Sequence, residues 1–360
     1  AYDDSTHLIL AWKDLSNSNA KSFIFDQTKS QVFQEDTRVV SNRPLKWSKD
    51  GNSIYFETNE WAKNQLKPDT TESDSLERND SLAMKEKDHL FEDAPALEIW
   101  HSKDLRIVPE QKELARRKRE CSHLAIWHLN TNRFVQLGDK LTEQTRFQYD
   151  SPIILGLDAT PYEFDGMFGR YNADAYAINV HNGAKEKFLD KINYLYSISP
   201  DGKTVVYLKD DHYYIYDFQS KKSSNLSSQI SASFVNLEND HPVVQNPHYG
   251  FIGWDSSSSS FLVHSKYDIW QINIAKPSIN ITNGAPDKIV SRYVKVDYDE
   301  EYIDLKSPIY VKRSGEWTKK TGYSTVIAGK NLKSLYWGDA YVSRLVKAKE
   351  AKSIAYVAER

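Results

Sequence analysis

Cysteine is almost absent from this sequence: Cys121 is the only one among 360 residues. One thiol excludes an intramolecular disulfide framework and a cysteine-rich zinc site. Methionine (2) and glycine (14) are also scarce, which weighs against a glycine-rich nucleotide-binding enzyme. No apolar run approaches the roughly 18 residues that a membrane-spanning helix needs. The start, Ala1-Tyr2-Asp3-Asp4, has neither a basic nor an apolar leader region, so a signal peptide is expected to have been removed or never present. A net charge of −3 gives no electrostatic reason to expect nucleic acid as a partner. The chain holds no G-x-S-x-G, no H-x-H and no H-E-x-x-H, so neither a nucleophile elbow nor a histidine-pair metal motif is expected.

What is abundant is aromatic. Tyr (22) and Trp (9) dominate an aromatic share of 12%, and both residues favour strands. A strand–turn–strand unit recurs three times, at 45–56 (Leu-Lys-Trp-Ser-Lys-Asp-Gly-Asn-Ser-Ile-Tyr-Phe), at 196–207 (Tyr-Ser-Ile-Ser-Pro-Asp-Gly-Lys-Thr-Val-Val-Tyr) and at 251–263. Asp-Gly marks a tight hairpin because the turn needs a positive φ, which glycine adopts without steric cost. The third copy replaces Asp-Gly with a serine run after Asp255, a weaker turn signal. Further hairpins follow at 212–226 and 267–281, and a similar pair stands at 124–129 and 134–137. Four short antiparallel strands in about 50 residues is the pattern of a propeller blade.

The expected fold is therefore an all-β propeller of four-stranded antiparallel blades, about seven, over 1–360. Strand pairs are expected at 7–12 with 22–26, at 151–157 with 173–180, and at 292–297, 308–313, 322–328 and 332–336. The last blade, near 341–347 and 352–358, looks unfinished, so the native chain is expected to continue past Arg360. Residues 57–94 are polar and acidic and read as a mobile insertion. Residues 104–120 form a second, basic insertion, with a short helix over 109–119 begun by Pro109. The tryptophans at 47, 100, 127, 254 and 270 recur at similar strand positions and are assigned to the core.

The Asp-Gly hairpins resemble the repeats of TolB and prolyl oligopeptidase propellers. Residues 97–109 (Leu-Glu-Ile-Trp-His-Ser-Lys-Asp-Leu-Arg-Ile-Val-Pro), with Gln111-Lys112, Leu124–Leu129 and Phe134–Leu137, look like the N-terminal half of secreted prolyl oligopeptidase-like (S9) serine peptidases of Bacteroidetes type. Tyr302-Ile303-Asp304, Gly338-Asp339 and Lys347-Ala348-Lys349 fit the same picture. The resemblance implies a non-catalytic propeller that gates substrate for a C-terminal α/β-hydrolase domain of the same parent chain. It also implies a peptide as substrate, a periplasmic or extracellular location and no cofactor. No catalytic residue carries over, because the nucleophile elbow is missing. Two alternatives stay open: a stand-alone TolB-like propeller that binds another protein, and a propeller glycan hydrolase or lyase.

Few individual residues point to chemistry. Glu300 and Glu301, within the acidic run 297–304, match in type the glutamate pair with which dipeptidyl peptidases of the resembled family hold a substrate amine. The plainer reading is a solvated turn. His241 and His248 flank a polar loop, where binding residues concentrate, although most loop histidines are simply solvated. Ser199–Thr204 is similar to a sialidase Asp-box, but its Asp and Gly are adjacent, so a hairpin turn is expected. The basic run Arg116–Arg119 reads as solvated or paired with the acidic segment.

Overall fold

A computed structural model describes residues 5–16, 20–29, 33, 36–61, 98–148, 151–242 and 245–359. The chain divides into two compact units, residues 1–143 and 144–360. Among the described residues, the sheets of both are antiparallel.

In the first unit, β1 (Ile9–Lys13) pairs with β2 (Lys21–Phe25) as a hairpin. Then come β3 (Thr37–Val40), β4 (Lys46–Trp47), β5 (Ser53–Glu60), β6 (His123–His128) and β7 (Arg133–Gln136). They form one sheet in the order β3-β5-β6-β7, with β4 also on β5. The hairpin covers this sheet through Phe25, whose ring lies 5.3 Å from Phe56 and 5.5 Å from Trp127. Aromatic contacts of this kind add about 0.5–1.5 kcal/mol each beyond area burial. Helix α1 (Val108–Glu120) lies between β5 and β6, with Pro109 in its first turn.

The second unit stacks sheets in chain order. The first holds β8 (Gln144–Arg146), β9 (Ile153–Asp158), β10 (Ala173–Asn179) and β11 (Lys185–Ile192), with a one-turn helix α2 (Glu163–Gly166) between β9 and β10. The second holds β12 (Tyr194–Ile198), β13 (Thr204–Lys209), β14 (His212–Asp217) and β15 (Lys222–Asn225). The third holds β16 (Phe251–Trp254), β17 (Ser260–His264), β18 (Ile269–Asn273) and β19 (Ile279–Asn280). The fourth holds β20 (Ile289–Val294), β21 (Ile309–Gly315), β22 (Thr321–Val326) and β23 (Lys333–Gly338). A final hairpin joins β24 (Tyr341–Lys347) to β25 (Ile354–Glu359). Within each sheet of this unit every strand pairs with its neighbour in the chain. The fold is all-β and of propeller type, in agreement with the repeat.

An apolar layer separates each pair of successive sheets. Leu155, Ala175, Leu195 and Val205 join the first two. Val206, Tyr213, Trp254 and Phe261 join the second and third, and Leu262, Ile269, Val311 and Val326 the third and fourth. Fully burying one such side chain stabilises the fold by about 1.5–3 kcal/mol. The second strands explain why the layers are continuous. Thr204–Lys209 (Thr-Val-Val-Tyr-Leu-Lys) and Ser260–His264 (Ser-Phe-Leu-Val-His) are buried along nearly their full length, as strands with a sheet on both faces must be.

The three repeat turns share one hydrogen-bond plan. The residue opening each turn donates its N–H to the carbonyl five residues on: Ser48 to Ser53, Ser199 to Thr204, Asp255 to Ser260. A residue three positions along takes a positive φ, and it is Gly51 (64°), Gly202 (73°) and Ser258 (60°) in turn. In the first two copies a serine hydroxyl accepts the returning N–H, from Ser53 at 2.9 Å and from Thr204 at 3.0 Å. In the third the Asp255 carboxylate does so, accepting the Ser260 N–H at 2.5 Å and its hydroxyl at 2.6 Å.

Two expectations need correction. The acidic insertion does not begin at 57, since β5 runs to Glu60. Glu57 to Glu60 pair with Val40 to Thr37 of β3, and Glu57 and Thr58 also face β6. Backbone pairing on both sides there outweighs the polar composition. The remainder of that segment, 62–94, lies outside the described residues. Nor are all five tryptophans core: Trp127 and Trp254 are 1% exposed, but Trp47 is 40% and Trp100 57% exposed. Trp47 sits on a two-residue strand of which both residues are exposed, and Trp100 precedes α1 outside any strand.

Candidate functional site

The first strands of successive sheets in the second unit bring one cluster together. β8 supplies Arg146, β12 supplies Tyr194 and Tyr196, and β16 supplies Phe251. The Tyr196 and Phe251 rings stack with centroids 4.9 Å apart and planes 17° from parallel. The loop ahead of β16 adds His248, held by a bridge to Val235 and by an Asn236 N–H to Pro247 carbonyl bond of 2.8 Å. Phe234 and Val235 are fully buried beneath it. The His248 ring meets Tyr194 edge-on at 4.3 Å, and its Nδ1 lies 3.2 Å from the Tyr196 hydroxyl.

Backbone contacts fix the cationic side of the cluster. Arg146 donates to the Leu195 carbonyl of β12. Two residues on, Gln148 clamps Ile198 from both sides, accepting its N–H at 2.9 Å and donating to its carbonyl at 2.7 Å. On β20, Arg292 donates to the carbonyls of Ser265, Lys266 and Ser291 and lies over the Tyr249 ring.

Burial sets the charge states. Desolvation holds the Arg146 and Arg292 guanidinium groups below their usual range and lowers His248. It raises the Tyr194 and Tyr196 phenols. His264, at the end of β17, is pushed down to about 3 by burial and by the Arg292 charge. Its Nδ1 is buried with no hydrogen-bond partner among the described residues. At neutral pH the cluster thus offers guanidinium donors, neutral imidazoles, phenol hydroxyls and flat aromatic faces. It holds no activated nucleophile, since a phenol raised by burial stays protonated.

The other chemically suggestive groups have structural work. Ser53 Oγ meets His128 Nδ1 at 2.9 Å because the two stand directly opposite in β5 and β6. Buried Asp268 accepts the Thr282 hydroxyl at 2.8 Å, the Asn280 amide at 3.0 Å and the Gly284 N–H. Among the described residues no group of three His, Cys, Asp or Glu side chains is placed to hold a metal. A groove of about 540 Å³ beside β18 and β19 is lined by Gln271, Asn273 and Lys276 among others. Its amides are largely committed, Gln271 to Ser260 and Asn273, and Asn273 to the Pro277 carbonyl.

Of the four residues singled out in the sequence, His248 lies in the cluster. His241 stands on the same loop but is exposed, 3.1 Å from Asp240. Glu300 and Glu301 are exposed in the turn after β20, beside Asp299, which pairs with Lys349 at 3.3 Å. Glu300 acts electrostatically on Tyr293 of β20: after burial, its charge is the second cause raising that phenol. Arg146, Tyr194 and Tyr196 were not singled out. Only Tyr196 carried a signal, as the opening residue of the second repeat.

No known family profile and no curated protein match the chain. Solved structures are similar at low identity. One, from a study of two prolyl endopeptidases, overlays at 11% identity across 95% of this chain and 41% of its own, with a TM-score of 0.42. An acylaminoacyl peptidase of Pyrococcus horikoshii gives 11% identity, 91% and 43% coverage and a TM-score of 0.35. A putative TolB from Agrobacterium tumefaciens gives 14% identity, 60% and 74% coverage and 0.31. The chain spans well under half the length of the two peptidases. Likeness this loose gives no residue a role.

Proposed function

We propose that this chain is the non-catalytic, substrate-gating propeller of a secreted prolyl oligopeptidase-like serine peptidase, and that it acts in the periplasm or outside the cell. The reading rests on the resemblance of residues 97–137 to that family. The observation that carries the gating role is the cluster of Arg146, Tyr194, Tyr196, His248 and Phe251 on the first strands. Aromatic faces with a few fixed donors suit an extended peptide, whose backbone needs hydrogen bonds and whose side chains need apolar surface. Nothing in the cluster supplies a nucleophile, so the bond-breaking groups would belong to a following hydrolase domain.

The test begins with the coding sequence beyond Arg360. A G-x-S-x-G on a strand–turn–helix there is expected, and the joined protein should cleave short peptides but spare folded proteins. Removing the propeller should lift that size limit. A stop codon directly after Arg360 would sink the reading and leave the stand-alone protein-binding propeller in its place. The chain by itself is expected to release no p-nitroaniline from peptide anilides.

A further inference from the structure

Three of the four links between second and third strands in the larger unit are short. They take two residues after β13 (210–211), four after β17 (265–268) and five after β21 (316–320), the usual hairpin range. The link from β9 to β10 takes fourteen, residues 159–172. Its extra length builds an ordered excursion. Thr160 donates its N–H to the Asp158 carboxylate at 2.9 Å, and the Tyr162 hydroxyl donates to Asp174 at 2.6 Å. Those two carboxylates are buried and stand opposite each other in β9 and β10. At the far end Gly169 takes a φ of 72°. Arg170 and Gly169 donate N–H bonds to the Asp165 and Gly166 carbonyls, both at 3.1 Å, the pattern that closes a helix on a left-handed residue.

Held at both ends, α2 and the turn after it leave their large apolar side chains in solvent. Phe164, Met167, Phe168 and Tyr171 follow the i, i+3, i+4, i+7 spacing that ordinarily turns a helix toward a core. Here they are 48%, 44%, 59% and 69% exposed. The Phe164 and Phe168 rings meet edge-on at 5.6 Å, and the Tyr171 ring lies 3.7 Å from where a Cβ on Gly166 would stand. Together the four side chains leave roughly 400 Å² of apolar surface in water, a patch of the size that marks an interaction site. Asp165 and Arg170 stand in the same turn, and neither has an ion-pair partner among the described residues.

Area and charge together select what covers this patch. Two such patches with their polar neighbours bury about 1,000 Å² in total, at the low end for a specific contact between proteins. A lipid surface asks for a basic rim, whereas this turn carries Asp165 as well as Arg170. A partner whose rim has one sign would leave one of the two charges unmatched. The same patch on a second copy matches both, because a two-fold axis sets the acid of each copy against the base of the other. We infer that residues 164–171 are the contact of a reversible two-fold dimer, patch against patch, with Asp165 of each copy facing Arg170 of the other. A contact of this size gives a dissociation constant of about 10–100 μM.

Sedimentation velocity of the 360-residue chain, from about 1 to about 500 μM, tests this. The mean sedimentation coefficient should rise across that range from the value of one chain to that of two. Phe168→Asp, at an exposed side chain, should hold the chain monomeric, a weakening of at least about tenfold. Asp165→Arg alone and Arg170→Asp alone should each weaken the dimer about threefold to tenfold, since each removes an attraction and adds a repulsion. Both reversals on one chain should restore the affinity to within about twofold, as pairing of the two residues across the axis requires. A chain that stays monomeric at every concentration overturns the inference, and so does a dimer that survives Phe168→Asp. Failure of the double reversal to recover what the single ones lose overturns it as well. Should Phe168→Asp fail to fold, the single reversals and their combination decide. Cosedimentation with phosphatidylcholine–phosphatidylglycerol vesicles that Phe168→Asp abolishes, without any dimer, would assign the patch to lipid and overturn the inference too.

Discussion

The second and third sheets of the larger unit do the same job with different chemistry. The 199–204 turn takes its positive φ at Gly202 and closes on a serine hydroxyl. The 255–260 turn takes it at Ser258 and closes on a buried carboxylate. A side chain in the left-handed region costs about 1–2 kcal/mol. Asp255 offsets that by accepting the N–H and hydroxyl of both Ser257 and Ser260. A costlier backbone is thus tolerated where a stronger acceptor gathers it. Ser258 has a further use, since its hydroxyl accepts the Asp201 N–H of the neighbouring turn at 3.0 Å. Glycine would lose that link.

The sharpest way to break the comparison is to remove the acceptors. Asp255→Ala strands buried donors on Ser260 and should cost about 3 kcal/mol, read as a fall in the urea midpoint. Asp50→Ala, in the exposed first turn, should cost about 1 kcal/mol. Equal losses would show that the carboxylate of the third turn has no special part.

Acid separates the two sheets next. His264 has its folded pKa depressed from 6.5 to about 3, so the native state holds it neutral while the unfolded chain takes up a proton below 6.5. Its contribution is whole above that pH and is lost as pH falls from 6.5 toward 3. Each pH unit in that window removes up to 1.36 kcal/mol, so moving from pH 6.5 to about pH 5 should cost about 2 kcal/mol. His264→Leu should flatten the slope, and hydrogen exchange should quicken in β16–β19 before β12–β15. A slope unchanged by the substitution would place the acid sensitivity elsewhere.

Exchanging the positive-φ residues gives the finest distinction. Gly202→Ala forces a Cβ into the left-handed region and to 2.9 Å from the Pro152 ring, and should cost about 2 kcal/mol. Ser258→Gly removes backbone strain but also the bond to Asp201, and should change stability by no more than about 0.5 kcal/mol. Differential scanning calorimetry of the two variants reads both values. A large gain from Ser258→Gly would mean that the link between the turns contributes nothing.

Much of the fold was legible because Asp-Gly turns and the β-branched runs after them are local signals. Gly51 and Gly202 marked their hairpins directly. Asp255 could be seen only as part of a weaker turn, because its role depends on folding back over Ser260. The tryptophans teach the same limit. Recurrence placed Trp47 and Trp254 at one repeat position, but exposure depends on what covers that face. The cluster was hidden for a related reason. Arg146 and Leu195, or Tyr196 and His248, lie about 50 residues apart, one blade period, and meet only when successive sheets stack. Loop composition brought out His248 but could not tell it from His241.

Trp127 and Trp254 stand in different units, and each indole N–H has a partner, Asn132 Oδ1 at 2.9 Å and the Ser197 carbonyl at 3.0 Å. Both sit in apolar surroundings that water enters only when the local sheet opens. Each is therefore a built-in fluorophore for its own unit. The emission lost on Trp127→Phe or Trp254→Phe isolates the signal of one sheet stack, and with it the order in which the two give way in denaturant.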